Sequence, residues 1–266
     1  MTERRRLAVV IGGGNGIGAA TVRVMAARGW RVVAADLDDA AATRIAAEVE
    51  DGVGVGLDVT DPAGMEVTAA RIEADLGPVA ALVVSSGAFH DSLPPHRLSD
   101  DDWSRVLRVN LDGTWHADRI FGGRMAARGA GSIVNIASVT GLFSSPLLAY
   151  GTSKTAIIGL TRNLAGEWGH SGVRVNSVSP GVTLVERILK HRAAGTRYYG
   201  SDFGTHAAMG RSVEPSEVAE TVEFLASDRA SAITGIDVPV DCGWSTAAGW
   251  EMFGGARPPV TPEATR

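Results

Sequence analysis

Seven short apolar runs, mostly β-branched, recur along the chain at 7–11, 31–36, 53–58, 80–85, 132–137, 173–178 and 236–240. Runs of this length, bounded by Gly, Asp and Ser, predict strands buried on both faces. Between them lie segments with helical periodicity rich in Ala, Glu and Arg, such as 17–28 and 38–50. Seven strands alternating with about six helices predict a doubly wound α/β fold: one parallel seven-stranded sheet with helices on both faces. Gly and Pro sit at element ends and no internal repeat is visible, so residues 1–266 are expected to form a single domain. Two stretches break the rhythm. Residues 183–211 are long and irregular, and a long loop inside a folded domain is usually functional or disordered. Residues 244–266 form a tail ending in ARPPVTPEATR.

Charge narrows the range of partners. The net charge is -5 and the arginines are scattered, so the chain offers no basic footprint for nucleic acid or an anionic membrane. Small soluble partners are expected. The apolar run behind Arg4, Arg5 and Arg6 is too short for a signal-peptide core or a membrane span, which points to the cytoplasm. Cys242 is the only cysteine, so no internal disulfide and no multi-cysteine metal site can form. A buried structural thiol is expected there.

The first strand runs into IGGGNGIG, residues 11–18. The G-x-G-x-x-G pattern fails because Ile17 occupies its third glycine, and the spacing that fits is Gly12, Gly16 and Gly18. Glycines there let a strand turn sharply, let backbone approach a pyrophosphate, and open a helix whose free N–H groups face phosphate. No G-K-[ST] follows, which excludes a P-loop. Asp36 ends the second strand, where a carboxylate accepts hydrogen bonds from ribose hydroxyls and repels a 2′-phosphate. Asn15 and Leu37 bring no positive charge, so NAD is expected over NADP. Asp36 alternatively caps a helix, as Asp38 is expected to do. Asp58 and Val59 close the third strand, either holding adenine or forming a turn before Asp61-Pro62.

The stretch AYGTSK sets Tyr150 four residues before Lys154. The chain has three tyrosines and two lysines, so such a pairing arises by chance on the order of 2% of the time. Helical spacing puts both on one face. A phenol with an ordinary pKa near 10 needs positive charge beside it to serve at neutral pH, and a shift of about three units amounts to about 4 kcal/mol. Tyr150 would then act as general base on an alcohol or general acid on a carbonyl. Ser138, at the carboxyl end of the strand reading NIAS, is either a turn serine or the group that polarises the substrate oxygen.

With GGGNGIG, Asp36, Ser138 and YGTSK, the sequence resembles the short-chain dehydrogenase/reductase family over residues 6–243. The resemblance implies a Rossmann fold and NAD-dependent hydride transfer between a secondary alcohol and its ketone. It implies four catalytic residues. Tyr150 is the acid/base, Lys154 lowers its pKa and holds the nicotinamide ribose, Ser138 orients the carbonyl, and Asn110, in DDWSRVLRVNLDGTW, supports a water-linked proton relay to Lys154. The cofactor would be met by Gly12, Asn15, Gly16, Ile17, Gly18, Asp36, Leu37, Asp58, Val59, Ser86, Gly87, Tyr150 and Lys154. Pro180, Gly181 and Thr183, in NSVSPGVT, would lie against the nicotinamide. No metal is implied, and a homotetramer or dimer is. A catalytically silent NAD-binding regulator is the alternative. The chain departs from the family's pattern in four places. Ile11 replaces a threonine, Ser85-Ser86-Gly87-Ala88 replaces Asn-Asn-Ala-Gly, Val185 stands where many members have a second threonine, and Cys242 replaces the middle glycine of Asp-Gly-Gly. The first two are expected to be coupled, apolar packing replacing a polar tie.

Arg187, His191, Arg192, Arg197, Tyr198 and Tyr199 crowd the irregular loop, which is expected to be either a lid over the nicotinamide or a solvated face. His90 either lines the pocket or sits on the surface. Trp244, Trp250, Met252 and Phe253 are too apolar for a free tail and are expected to pack on their own chain or a neighbouring subunit, with 258 onward loose.

Overall fold

The computed structural model describes residues 5–195 and 203–257, and the expected architecture is present. The strands are β1 (Leu7–Ile11), β2 (Arg31–Asp36), β3 (Val53–Gly56), β4 (Val79–Val84), β5 (Gly131–Ile136), β6 (Val173–Pro180) and β7 (Asp237–Val240). They form one parallel sheet in the order β3-β2-β1-β4-β5-β6-β7. The order reverses between β1 and β4, and ligands of such sheets bind at the carboxyl ends of the strands beside that reversal.

The helices are α1 (Gly16–Ala27), α2 (Asp39–Ala46), α3 (Pro62–Leu76), α4 (Asp100–Leu107), α5 (Gly113–Ala127), α6 (Leu148–Trp168), α7 (Glu186–Ala193), α8 (Pro215–Ala226) and the short α9 (Trp244–Ala247). Alternation along each strand divides the core into two layers. Leu7, Val9 and Ile11 of β1 join Met65 and Ile72 of α3 and Phe121 and Met125 of α5 on one face. Ala8 and Val10 join Val22 and Met25 of α1 and Val222 and Leu225 of α8 on the other.

Several helix starts are written locally in the sequence. The carboxylates of Asp38 and Asp61 and the hydroxyl of Ser99 accept N–H groups of Ala41, Gly64 and Asp102, satisfying donors that the first turn leaves unpaired. Helix α6 begins at Leu148, and Leu147 before it provides no such cap. Between α4 and α5 the chain makes a π-helical turn, Arg108–Asp112, which inserts Asn110 toward the core.

The described part of 183–211 holds regular structure where an irregular loop was expected. The segment opens with α7, and its two ends are pinned by a Thr183–Val213 bridge and by the Leu184 N–H bonded to the Val213 carbonyl. Arg197, Tyr198 and Tyr199, and the side chains of His191 and Arg192, lie outside the described residues, as does 258–266. Cys242 is partly exposed, not the buried thiol expected. It stands at φ 53, in the left-handed region where glycine is at ease. The tail divides in two. Trp244 packs edge-on against Phe143 at 6.1 Å, while Trp250 is half exposed and Met252 and Phe253 stand almost entirely in solvent.

One core group is charged by type but not by state. Asp118 of α5 is completely buried between β5 and α6, its Oδ2 accepting the Asn135 amide at 2.9 Å while Oδ1 has no partner. Burial raises its pKa to about 8. Against an unfolded value of about 4, this carboxyl keeps its proton on folding. Stability is full below about pH 4 and falls as pH rises from there to about 8. Asp118→Asn, which mimics the protonated acid, should therefore melt higher than wild type at pH 8. The gap should close toward pH 4, as read by thermal unfolding across pH.

Candidate active site

The site is built from the carboxyl ends of six strands. After β1 the backbone turns at Gly12, φ 76, whose N–H, like that of Gly13, is bonded to the Ala35 carbonyl. A Cβ on Gly12 would lie 2.6 Å from the Ser86 nitrogen, so the turn rests directly on the exit of β4. The side chain of Ile11 is buried, and its carbonyl accepts the Ser85 N–H at 2.8 Å. The tie to β4 is therefore made by backbone and apolar packing. A Cβ on Gly18 would fall 2.0 Å from the Gly12 oxygen; that glycine lets α1 pack on the turn and does not line the cleft.

Asp36 fastens the same turn from the side. Its Oδ2 accepts the Gly14 N–H at 2.9 Å and its Oδ1 the Asp38 N–H at 3.1 Å. The Arg44 guanidinium also reaches this turn, 3.4 Å from the Gly14 carbonyl. Asp58 spends one oxygen on its own turn, accepting the N–H and hydroxyl of Thr60, and still lines the cleft.

The cleft has a volume of about 960 Å³. Gly12, Asn15, Gly16 and Ile17 form its floor, Asp36, Leu37, Asp58 and Val59 one end, and Ser86, Gly87, Tyr150 and Lys154 the other. Glu186, Arg187 and Lys190 of α7 contribute the facing wall. A smaller cavity of about 200 Å³ shares Ile17, Phe89 and Tyr150 with it and is lined by Ser138, Pro180, Gly181 and Thr183. Of the residues singled out from sequence for catalysis, cofactor contact or the pocket, Gly18, Asn110 and His90 line neither space.

Tyr150 and Lys154 lie one helical turn apart on α6, both buried. Lys154 is 3% exposed, and its ammonium stands 5.5 Å from the centroid of the Tyr150 ring and donates to the Ile136 carbonyl at 2.7 Å. Burial lowers its pKa to about 8, which still leaves it mostly charged at neutral pH. Ser138 follows β5 in extended backbone, and its oxygen accepts the Thr140 N–H at 3.2 Å and the Thr140 hydroxyl at 3.0 Å. With both acceptor positions used, the Ser138 proton is the group left to donate.

Asn110 works behind this surface. Its Oδ1 accepts the Ala88 N–H at 2.6 Å, and its Nδ2 donates to the Ala88 carbonyl at 3.1 Å and to Ser153 Oγ at 3.0 Å. It therefore clamps the loop after β4 to α6. Sequence reading missed Phe89 and Thr140, and placed Arg187 only in the irregular loop. Phe89 stacks on the Tyr150 ring at 4.4 Å, and the Arg187 guanidinium covers the other side of Phe89 at 3.9 Å. Thr140 orients Ser138. His90 is buried and turned to the start of α6, contrary to the surface position considered for it. Only Thr140 left a local signal, a hydroxyl two residues after Ser138.

The dimensions fit a dinucleotide: two glycines in the floor, a carboxylate at one end, and a phenol and ammonium at the other. A family model described as enoyl-(acyl carrier protein) reductase matches residues 12–245. The chain belongs to the short-chain dehydrogenase/reductase family. It is 42% identical to the galactitol 2-dehydrogenase (L-tagatose-forming) of Cereibacter sphaeroides, covering 90% of this chain and 94% of that protein. It is 37% identical to the D-threitol dehydrogenase of Mycolicibacterium smegmatis, covering 90% and 93%. A crystal structure described as ribose-5-phosphate isomerase from Brucella melitensis 16M superposes with a TM-score of 0.91 at 43% identity, covering 96% and 98%. This short-chain dehydrogenase/reductase is an oxidoreductase that moves hydride between a secondary alcohol or its ketone and a nicotinamide cofactor.

Replacing Asn110 by alanine strands the Ala88 N–H and carbonyl and the Ser153 hydroxyl in a buried place. The variant should lose about 2–4 kcal/mol of stability in urea unfolding, with no cofactor present.

Proposed function

We propose that this enzyme is an NAD-dependent dehydrogenase of small secondary alcohols, of the polyol or hydroxy-ketone class, with Tyr150 as acid/base. The observation that carries the reading is the buried Lys154 ammonium beside the Tyr150 ring at the junction of the two cavities. When bound, the nicotinamide accepts or returns the hydride at its C4. Tyr150 takes the hydroxyl proton of the alcohol, or gives one to the ketone oxygen in reverse. Lys154 favours the phenolate by its charge and holds the nicotinamide ribose. Ser138, oriented by Thr140, donates to the substrate oxygen. Asn110 is assigned the support of a water-linked proton path to Lys154, from a side chain locked on Ala88 and Ser153. Gly12, Asn15, Gly16, Ile17 and Gly18 shape the pyrophosphate turn. Pro180, Gly181 and Thr183 face the carboxamide.

NAD is preferred because Asp36 stands where a 2′-phosphate would lie, and two like charges repel. Arg44 at the same turn is the residue that would favour the phosphate once Asp36 is gone. A cavity of about 200 Å³ suits a substrate below drug size, in keeping with the two polyol dehydrogenases. An isomerase reading, suggested by the Brucella structure's description, leaves the large cleft beside Tyr150 without a purpose. We also propose a homotetramer or dimer, supported by the solvent-facing Trp250, Met252 and Phe253, and a cytoplasmic location. Among the described residues no helix is long and apolar enough to cross a membrane.

A panel of polyols, hydroxy acids and simple secondary alcohols, followed by NADH formation, tests the class. Tyr150→Phe should cut kcat by about 10²–10⁴ with NADH binding nearly intact. Activity within about tenfold of wild type would remove Tyr150 as acid/base. Asp36→Ala should shift the kcat/KM ratio toward NADP by at least about tenfold, roughly the 1.4 kcal/mol of one like-charge contact. Equal use of NADP by wild type would refute the role of Asp36.

A further inference from the structure

Helix α6 carries Tyr150 and Lys154, but the residue before its first turn is Leu147, which offers no side-chain acceptor. A helix leaves its first N–H groups without partners, and buried ones must be satisfied. Here the partner arrives from 59 residues away: His90 Nε2 accepts the Ala149 N–H at 3.1 Å and, more weakly, the Tyr150 N–H, 3.5 Å away. These are the second and third residues of the helix, the two that a capping serine or aspartate would take. The other ring nitrogen, Nδ1, donates to the Asp91 carbonyl at 2.7 Å. The ring is only 9% exposed.

Both bonds demand one state of the ring, neutral with the proton on Nδ1 and a bare lone pair on Nε2. A second proton would turn Nε2 into a donor facing two donors, at the positive end of the helix dipole. The charged neighbours come from four sides. Asp102 and Arg105 of α4 form an ion pair beside the loop, and Arg105 also donates to the Phe89 carbonyl at 2.8 Å. Tyr150 and Lys154 belong to α6, the helix it caps, Arg187 of α7 lies over Phe89, and Asp91 is in its own loop. Asp102 is held below the usual carboxylate range chiefly by its Arg105 bond, then by its Ser99 bond.

We infer that His90 is a positioning residue for the reaction: its neutral ring caps α6 and thereby fixes the axial position of Tyr150 relative to the substrate cavity. The inference rests on Tyr150 being the acid/base. Protonation of His90 releases the first turn, so turnover is lost at acid pH for a reason separate from the Tyr150–Lys154 couple. In ketone reduction acid keeps Tyr150 protonated and Lys154 charged, their working forms, so a fall in rate on the acid side belongs to another group.

The test uses the full chain reducing L-tagatose or hydroxyacetone with NADH between about pH 5 and 8, together with amide hydrogen exchange over 148–151. His90→Leu should lower kcat about tenfold or more at every pH, leave the Kd for NADH within about twofold, and quicken exchange at Ala149 and Tyr150. His90→Gln, whose amide oxygen takes the place of Nε2 without titrating, should keep most of the wild-type kcat and lose the acid-side fall. Unchanged exchange in the leucine variant would overturn the cap, and quickened exchange with wild-type kcat would overturn the positioning role. A glutamine variant that keeps the acid-side fall would overturn the protonation account. Failure of the acid/base reading would show instead as activity in Tyr150→Phe, whatever the exchange data.

Discussion

A buried lysine must have its ammonium held by something, and the arrangement of this site follows from how Lys154 is held. Taking a charge out of water costs several kcal/mol unless hydrogen bonds and polar surroundings offset it. The acceptor here is the last carbonyl of β5, Ile136, at 2.7 Å. Strand β5 must therefore stop at that residue, and the turn that follows must let α6 come back across it. Gly141 shows how close the return is: a Cβ there would lie 2.8 Å from the Lys154 backbone carbonyl carbon. Ser138 is placed by the same turn. The chemistry is thus assembled by one strand end, one tight turn and one helix.

The ammonium gains something from its burial. With its pKa lowered to about 8, it keeps most of its charge at neutral pH, and in a medium poorer in water that charge acts more strongly on the neighbouring phenol. The phenol is fixed in turn from three directions. Phe89 stacks on its ring, the Asn110 clamp holds the loop that carries Phe89, and His90 takes the N–H groups at the start of the helix. Arg187, lying over Phe89, extends this column to α7, so the helix that walls the large cleft is in contact with the residues packed around Tyr150. Movement of α7 cannot leave the setting of Tyr150 untouched.

The fold was largely legible because its strands are buried on both faces and so read as unbroken apolar runs. The observed ends fall within a few residues of the expected ones, as at Val79–Val84 against 80–85. The Tyr150–Lys154 spacing was legible because helical geometry turns four residues into one face. What stayed hidden depends on distant partners or on backbone that composition does not mark. Helix α7 is polar along most of its length, with Ile188 buried and Leu189 half exposed, so its periodicity was too weak to stand out from the loop. The π-helical turn at Asn110 interrupts a stretch whose helical pattern reads as continuous from 101 to 115. His90 looked like a surface histidine because the residues it caps are 59 positions away. Met252 and Phe253 were expected to be covered, and within their own chain they are not.

The central claim is that the Lys154 charge makes the Tyr150 phenol ionise below the ordinary tyrosine range. The chain has only three tyrosines, so tyrosinate absorbance can be followed by ultraviolet difference titration and compared with Tyr150→Phe. The account predicts one phenol, absent from the phenylalanine variant, that ionises below about pH 10 and moves lower still when NAD is bound. If all the tyrosines titrate at or above that value in both proteins, with and without NAD, the account is contradicted.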